Sequence, residues 1–272
     1  MKRRRFLQVA LGACAGGGIY ALGAGPNPIV VERLDVVVDA KWTGLHGLKV
    51  VALSDFHLYP FTELAFLKQA FEITRSLKPD LVVLLGDFVD SSVDAIDELA
   101  PALATIDARL GLYAIMGNHD CRKGPEIVQA GLAKVGIEVL RNRGVSLHHG
   151  GSDLWLGGVD SFWGEPDLDK VLAMRPTEAA SILLAHEPDI ADRVASAGVH
   201  IQLSGHSHGG QVNVPGLVHG VLPRMGRKYA FGSYRVGDMF LHTTRGLGMT
   251  GLPVRFRSDP EVTEITLVCR SA

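Results

Sequence analysis

Residues 49–57 read Lys-Val-Val-Ala-Leu-Ser-Asp-Phe-His, a short apolar run that ends on an acid, Asp55, and an imidazole, His57. The pattern repeats along the chain. Leu81–Leu85 runs into Gly86-Asp87-Phe88-Val89-Asp90, and Leu112–Met116 into Gly117-Asn118-His119-Asp120. Ser181–Ala185 runs into His186-Glu187, and His200–Leu203 into Ser204-Gly205-His206-Ser207-His208. Runs this short, rich in Val, Ile and Leu and stopped by Gly or polar residues, predict buried strands. The amphipathic stretches Glu63–Ser76, Val93–Arg109, Pro125–Val135 and Asp189–Ala197 predict helices between them. Pro125 and Pro188 fall where a first helical turn tolerates proline. Val139–Leu140, Val145–Leu147 and Leu154–Val159 predict further strands, and the chain beyond Gly209 is Gly-rich and β-like up to Val262–Val268. The alternation predicts one α/β domain of layered sheets with outer helices, spanning residues 26–272.

The chain has 272 residues, of which 47% are apolar and 21% charged. That suffices for a sizeable core and excludes a disordered chain, a collagen and a coiled coil. A net charge of -2 provides no basic field, so nucleic acid is not an expected partner. Three cysteines are too few for a disulfide framework or a Cys-rich zinc site.

Residues 1–5 are Met-Lys-Arg-Arg-Arg, and no further charge follows until Glu32. A charged start, a short weakly apolar run and small residues describe a secretory signal. Arg3-Arg4-x-Phe6-Leu7 resembles the twin-arginine export motif. Residues 1–25 are therefore expected to be a signal or membrane anchor that engages the twin-arginine machinery. The domain would then reside in the periplasm or on the outer face of the cytoplasmic membrane. Leu11-Gly12-Ala13-Cys14 resembles a lipoprotein box but lies early in the run. Residues 1–25 hold four of the 27 Lys and Arg and no acid, so the remainder carries 23 bases against 29 acids, a net -6. Membrane contact is accordingly expected through the N-terminus and not through net charge.

Open α/β sheets bind ligands outside the carboxyl ends of their strands. Here five such ends carry Asp, Asn or His. One Asp at a strand end is commonly a helix cap; five clusters of acids and imidazoles are costly to bury unless a cation satisfies them. Oxygen and imidazole donors without thiolate suit Mn, Fe or Zn.

In order, the chain shows D-x-H, G-D-x-x-D, G-N-H-D, a lone His and G-H-x-H. This ordered set resembles the calcineurin-like metallophosphoesterase superfamily over residues 46 to 268. Gly209-Gly210-Gln211-Val212, Lys228-Tyr229, Arg245-Gly246-Leu247-Gly248 and Pro260-Glu261 resemble its exported or membrane-attached bacterial phosphodiesterase branch. The resemblance implies an αββα sandwich of two mixed sheets with two divalent metal ions at the carboxyl ends of strands. Asp55, His57 and His208 would hold the first metal. Asn118, His186 and His206 would hold the second, with Asp87 bridging them. A shared anion offsets the repulsion of two metals roughly 3.5–4 Å apart. A hydroxide on the pair would attack phosphorus, His119 would serve the leaving group, and Asp120 would orient His119. Asp90 reads either as a second supporting carboxylate or as a helix cap ahead of Val93. The expected substrate is a phosphomonoester, phosphodiester or pyrophosphate, with residence at the membrane favouring lipid-linked or envelope esters.

Two other functions compete. Gly205-His206-Ser207-His208-Gly209 matches G-x-S-x-G, with Ser207 as nucleophile and Asp238 and His242 as partners. That motif must run into a helix, and Gly210 through Gly216 is β-like and broken by Pro215. A non-catalytic metal-binding module is the other alternative; it would lack a ligand or His119, and none is missing. His46, His148, His149, His200, His219 and His242 read as structural, as does Cys121. Phe162-Trp163-Gly164 reads as an apolar loop tip that packs locally or meets a substrate tail. Arg224, Arg227, Lys228 and Arg235 read as a solvated basic stretch or one that steers phosphate.

Overall fold

The computed structural model of the chain describes residues 27–214 and 222–269. The expected export segment, Cys14 and His219 lie outside the described residues. The strands are β1 (Val30–Val38), β2 (Lys49–Leu53), β3 (Leu81–Leu84), β4 (Leu112–Ala114), β5 (Glu138–Val139), β6 (Arg143–His149), β7 (Ser152–Gly158), β8 (Ala180–Leu184), β9 (Ile201–Ser204), β10 (Gly232–Val236), β11 (Met239–Thr243) and β12 (Glu261–Cys269). The α-helices are α1 (Leu64–Ser76), α2 (Ile96–Leu103), α3 (Asn118–Lys123), α4 (Pro125–Lys134), α5 (Leu168–Ala173) and α6 (Ala191–Ser196).

The strands form two sheets, ordered β1-β12-β2-β3-β4-β5 and β10-β11-β9-β8-β7-β6. Both are mixed: β12 runs antiparallel to β2 in the first, and β6 to β7 and β10 to β11 in the second. Side chains alternate across each strand, and in β2, β3, β8 and β9 both faces are buried, which is why these strands read as continuous apolar runs. Val50, Ala52, Leu81 and Val83 face the other sheet and meet Leu154, Leu156, Ile182 and Leu203 in the central layer. Val51, Leu53, Val82 and Leu84 face outward onto Leu67 and Phe71 of α1, Ile96 and Leu99 of α2, and Leu132 of α4. On the far side, Leu183 and Leu241 pack on Val171 of α5 and Val194 of α6. The result is the expected αββα sandwich.

Four elements differ from the sequence reading. The helix expected to reach Arg109 ends at Leu103. Its apolar spacing continues through buried Ile106, but Thr105 Oγ1 turns back onto the Ala102 carbonyl at 2.7 Å and ends the helix. Strand β1 was not anticipated; Arg33 and Asp35 face outward from this edge strand and, with Glu32, interrupt its apolar run. The short helices α3 and α5 were missed because six residues hold too little periodicity to read. Among the described residues no helix is long and apolar enough to cross a membrane.

Candidate metal centre

Strands β2, β3 and β4 run parallel in one sheet and β8 and β9 run parallel in the other, so their carboxyl ends meet at one edge of the sandwich. There the chain turns sharply. Asp55, His57, Asp87, His206 and His208 all have positive φ, between 42° and 72°. Non-glycine residues seldom adopt that region, and its strain concentrates at functional sites. Two glycines let the turns close. A Cβ on Gly117 would overlap the Asp87 carboxylate, and one on Gly205 would overlap Ser54 and the Asp55 carboxylate.

The polar ends assemble into two sets with one carboxylate between them. Asp55, His57 and His208 offer donor atoms to one point, and Asp87, His186 and His206 to another. Asp87 Oδ2 lies 3.3 Å from His57 Nε2 and 3.3 Å from His186 Nε2, so it faces both sets. His57 Nε2 and His208 Nε2 are 3.0 Å apart, and His208 Nε2 is 3.3 Å from Asp55 Oδ1. All six residues are buried, as is Asn118.

The surrounding backbone fixes which imidazole nitrogen is free. His186 Nδ1–H donates to the Leu85 carbonyl at 2.7 Å, leaving Nε2 as the ligand atom. His206 Nε2–H donates to the Arg224 carbonyl at 2.9 Å, leaving Nδ1. The Asp55 carboxylate, turned toward the second sheet, accepts from the His206 amide at 3.1 Å. Asn118 Oδ1 and His186 Nε2 are buried without any hydrogen-bond partner. Orphaned buried acceptors are rare in folded proteins, and both atoms belong to residues expected to hold the second ion. The residues therefore fit divalent metal.

The electrostatics agree. Burial pushes Asp87 up, but His186 and His57 outweigh it and hold the carboxyl well below its usual range. Asp55 is likewise held low, by His208 and His186 against the effect of burial. Burial would depress His57, yet Asp87 and Asp90 lift it to about 9. In His208 burial prevails over Asp55 and lowers the ring to about 4. The carboxylates draw positive charge onto His57 and His186, while burial holds His206 and His208 low; a metal ion would meet the demand of such an anionic cluster.

His119, on the first turn of α3, lines an open cleft of about 350 Å³ together with His57, Asp87, Asn118, His206 and His208. The carboxylate against its ring is Asp90, 3.2 Å from Nδ1, and not Asp120 as the sequence suggested. Asp90 also meets His57 Nδ1 at 3.1 Å and accepts from Thr250 Oγ1 at 2.7 Å. It is not a helix cap; Ser92 caps the turn that follows. Asp120 instead faces backbone. It accepts from the amides of Gly117 (2.9 Å), Asp87 (2.8 Å), Phe88 (2.9 Å) and Val89 (3.3 Å). Burial and the neighbouring Asp87 push Asp120 up to about 7 against the pull of those amides.

Sequence reasoning also missed Arg255 and Glu187. The Arg255 guanidinium, 6% exposed, donates to the carbonyls of Arg245, Gly248 and Ser258 and organises the segment behind His208. Ser258 in turn donates to the His208 carbonyl at 2.5 Å. Glu187 holds the Ser161 hydroxyl at 2.6 Å and the Phe162 amide at 3.1 Å. No motif marks Arg255; Glu187 was visible only as the residue after His186.

The serine-nucleophile alternative fails on geometry. The Ser207 hydroxyl is spent on the Ala230 carbonyl, and a single 3-10 turn follows it. His242 is committed to Ser233 (3.0 Å) and Glu261 (2.8 Å). His148 pairs with Asp153, and His200 with Ser181, as structural readings require. Cys121 and Cys269 are both free thiols.

This fold and site define a metal-dependent phosphoester hydrolase. The chain belongs to the calcineurin-like phosphoesterase family, whose model matches residues 48–210. It is 34% identical to the metallophosphoesterase YkuE of Bacillus subtilis, over 98% of this chain and 98% of that one. It is 28% identical to the phosphodiesterase YaeI of Escherichia coli, over 98% of this chain and 100% of that one. Among solved structures the fold is similar to a sulfate thiohydrolase, SoxB, of Thermus thermophilus, with a TM-score of 0.50 at 14% identity. That match takes in 73% of this chain and about half, 51%, of the other.

Proposed function

We propose that the chain hydrolyses phosphodiesters or phosphomonoesters at a centre of two divalent metal ions. The observation that carries this reading is Asp87 Oδ2, equidistant at 3.3 Å from an imidazole of each ligand set. Asp55, His57 and His208 would hold one ion, Asn118, His186 and His206 the other, and Asp87 both. Mn, Zn and Fe suit these oxygen and imidazole donors. When bound, such ions supply a water of lowered pKa and stabilise charge on the phosphoryl oxygens. The chain's own residues do the rest. Asp90 fixes the His119 ring through Nδ1, leaving Nε2 to hand a proton to the departing ester oxygen. Asp120 locks the Gly117 and Asp87 turns together, which keeps Asn118 and Asp87 in register. The YaeI relative bears the name phosphodiesterase, which favours diesters. Residues 1–25, read as an export signal or anchor, favour lipid-linked or envelope esters as the natural substrates.

The test strips the protein with chelator, reloads it with Mn, Zn or Fe(II), and follows bis(4-nitrophenyl) phosphate and 4-nitrophenyl phosphate. Turnover should vanish with the metal and return with it. His119→Ala should keep its metal and lose roughly 10²- to 10⁴-fold in kcat. Chelator-resistant turnover, or full activity in His119→Ala, would contradict the reading.

A further inference from the structure

The elements that supply Asn118, His186 and His206 also build one continuous structure at the rim of the cleft. Arg122 is four residues after Asn118 on α3, hence on the same helix face. Its guanidinium lies 4.8 Å from the centre of the Trp163 ring. Trp163 in turn lies 5.7 Å from the His206 ring and edge-on to Phe162 at 5.3 Å. The Arg224 guanidinium covers Phe162 at 4.9 Å, while its backbone carbonyl holds His206 Nε2 at 2.9 Å. The loop tip bearing both aromatics is fastened by Glu187, next to His186. It is also seated closely on α3, where a Cβ on Gly164 would come within 3.0 Å of Cys121 Sγ.

Phe162 is 43% exposed, which packing alone does not require. A guanidinium laid on an aromatic face keeps its N–H edge free and loses little further freedom on binding an anion. Arg141 is paired with Asp160 and Lys228 with Asp192. Arg122 and Arg224 have no carboxylate partner among the described residues.

We infer that Arg122 and Arg224, seated on Trp163 and Phe162, form an anion-binding subsite beside the metal centre. It selects esters whose scissile phosphate is accompanied by a second phosphate or comparable anion. This rests on the metal centre being the phosphoester site. Esters with neutral substituents would use the centre alone and forgo two charge-assisted contacts.

The test compares AMP with ADP, which share the nucleoside, so that stacking on Trp163 cancels. Each is titrated into metal-loaded protein by tryptophan fluorescence and as a competitor of bis(4-nitrophenyl) phosphate hydrolysis. Wild type should bind ADP more tightly than AMP. Arg122→Gln and Arg224→Gln should each cut that preference about tenfold, and the double variant should abolish it. Trp163→Leu should weaken it by unseating Arg122. Arg235→Gln, an exposed charge on β10, should leave it unchanged. Equal loss of AMP and ADP binding in the arginine variants would make the rim a stacking platform and overturn the inference. So would a wild type that binds both alike or neither, or a preference that survives the double substitution. If the wild type hydrolyses no ester while the arginines still set the ADP preference by fluorescence, the catalytic reading fails and the subsite stands.

Discussion

Asp90 and Asp120 are chemically identical and do different work because of what their backbones allow. Asp120 is the third residue of α3, where an acid reaches back to the helix's own N-terminus, and here it gathers four amides. Asp120→Ala should strand buried N–H groups and cost about 3–5 kcal/mol, seen as a lowered denaturant midpoint. Asp90→Asn should leave that midpoint within about 1 kcal/mol, since the carboxylate is partly exposed, and lower kcat with metal still bound. A reversed pattern would show the roles to be exchanged. The ligand positions were legible in sequence because each follows a strand. The partner of His119 was not, because adjacency along the chain says nothing of which way a helical side chain points.

At the level of elements, the site depends on turns as much as on ligands. Ser204-Gly205-His206 can pass Asp55 only because residue 205 lacks a Cβ. Gly205→Ala changes no ligand, yet it should displace the Asp55 carboxylate and weaken metal binding by about tenfold or more, a strain of about 1–3 kcal/mol. Calorimetric titration with Mn or Zn measures this, and an unchanged affinity would mean the turn has slack. The strands that end in ligands were readable because both faces are apolar. The Phe162–Trp163 tip was visible as apolar residues in a loop, but its attachment to Glu187 joins residues distant along the chain and left no local pattern.

Across the whole molecule, β12 sits between β1 and β2, and its first residue ties the sheet edge to the loop behind the metal centre. Burial would raise Glu261, but His242, Thr263 and Arg245 outweigh it and hold the carboxyl at about 2, against 4.5 for a free glutamate. A depressed carboxyl stabilises the fold above its unfolded pKa and loses that contribution as pH falls. Wild type should therefore lose of order 2 kcal/mol relative to Glu261→Gln between about pH 4.5 and pH 2 in urea unfolding. Parallel pH profiles would contradict this. Edge strand β1 was the part of the fold least legible, because its polar outward residues hide the pairing that β12 completes.

The measurement that tests the central claim most directly is the number of metal ions bound per chain, counted by elemental analysis after reloading and dialysis. Two per wild-type chain, falling to one or fewer in Asp87→Asn with the fold intact by circular dichroism, is the expected result. A single ion in the wild type, or two retained without the Asp87 carboxylate, would contradict a centre built around that residue.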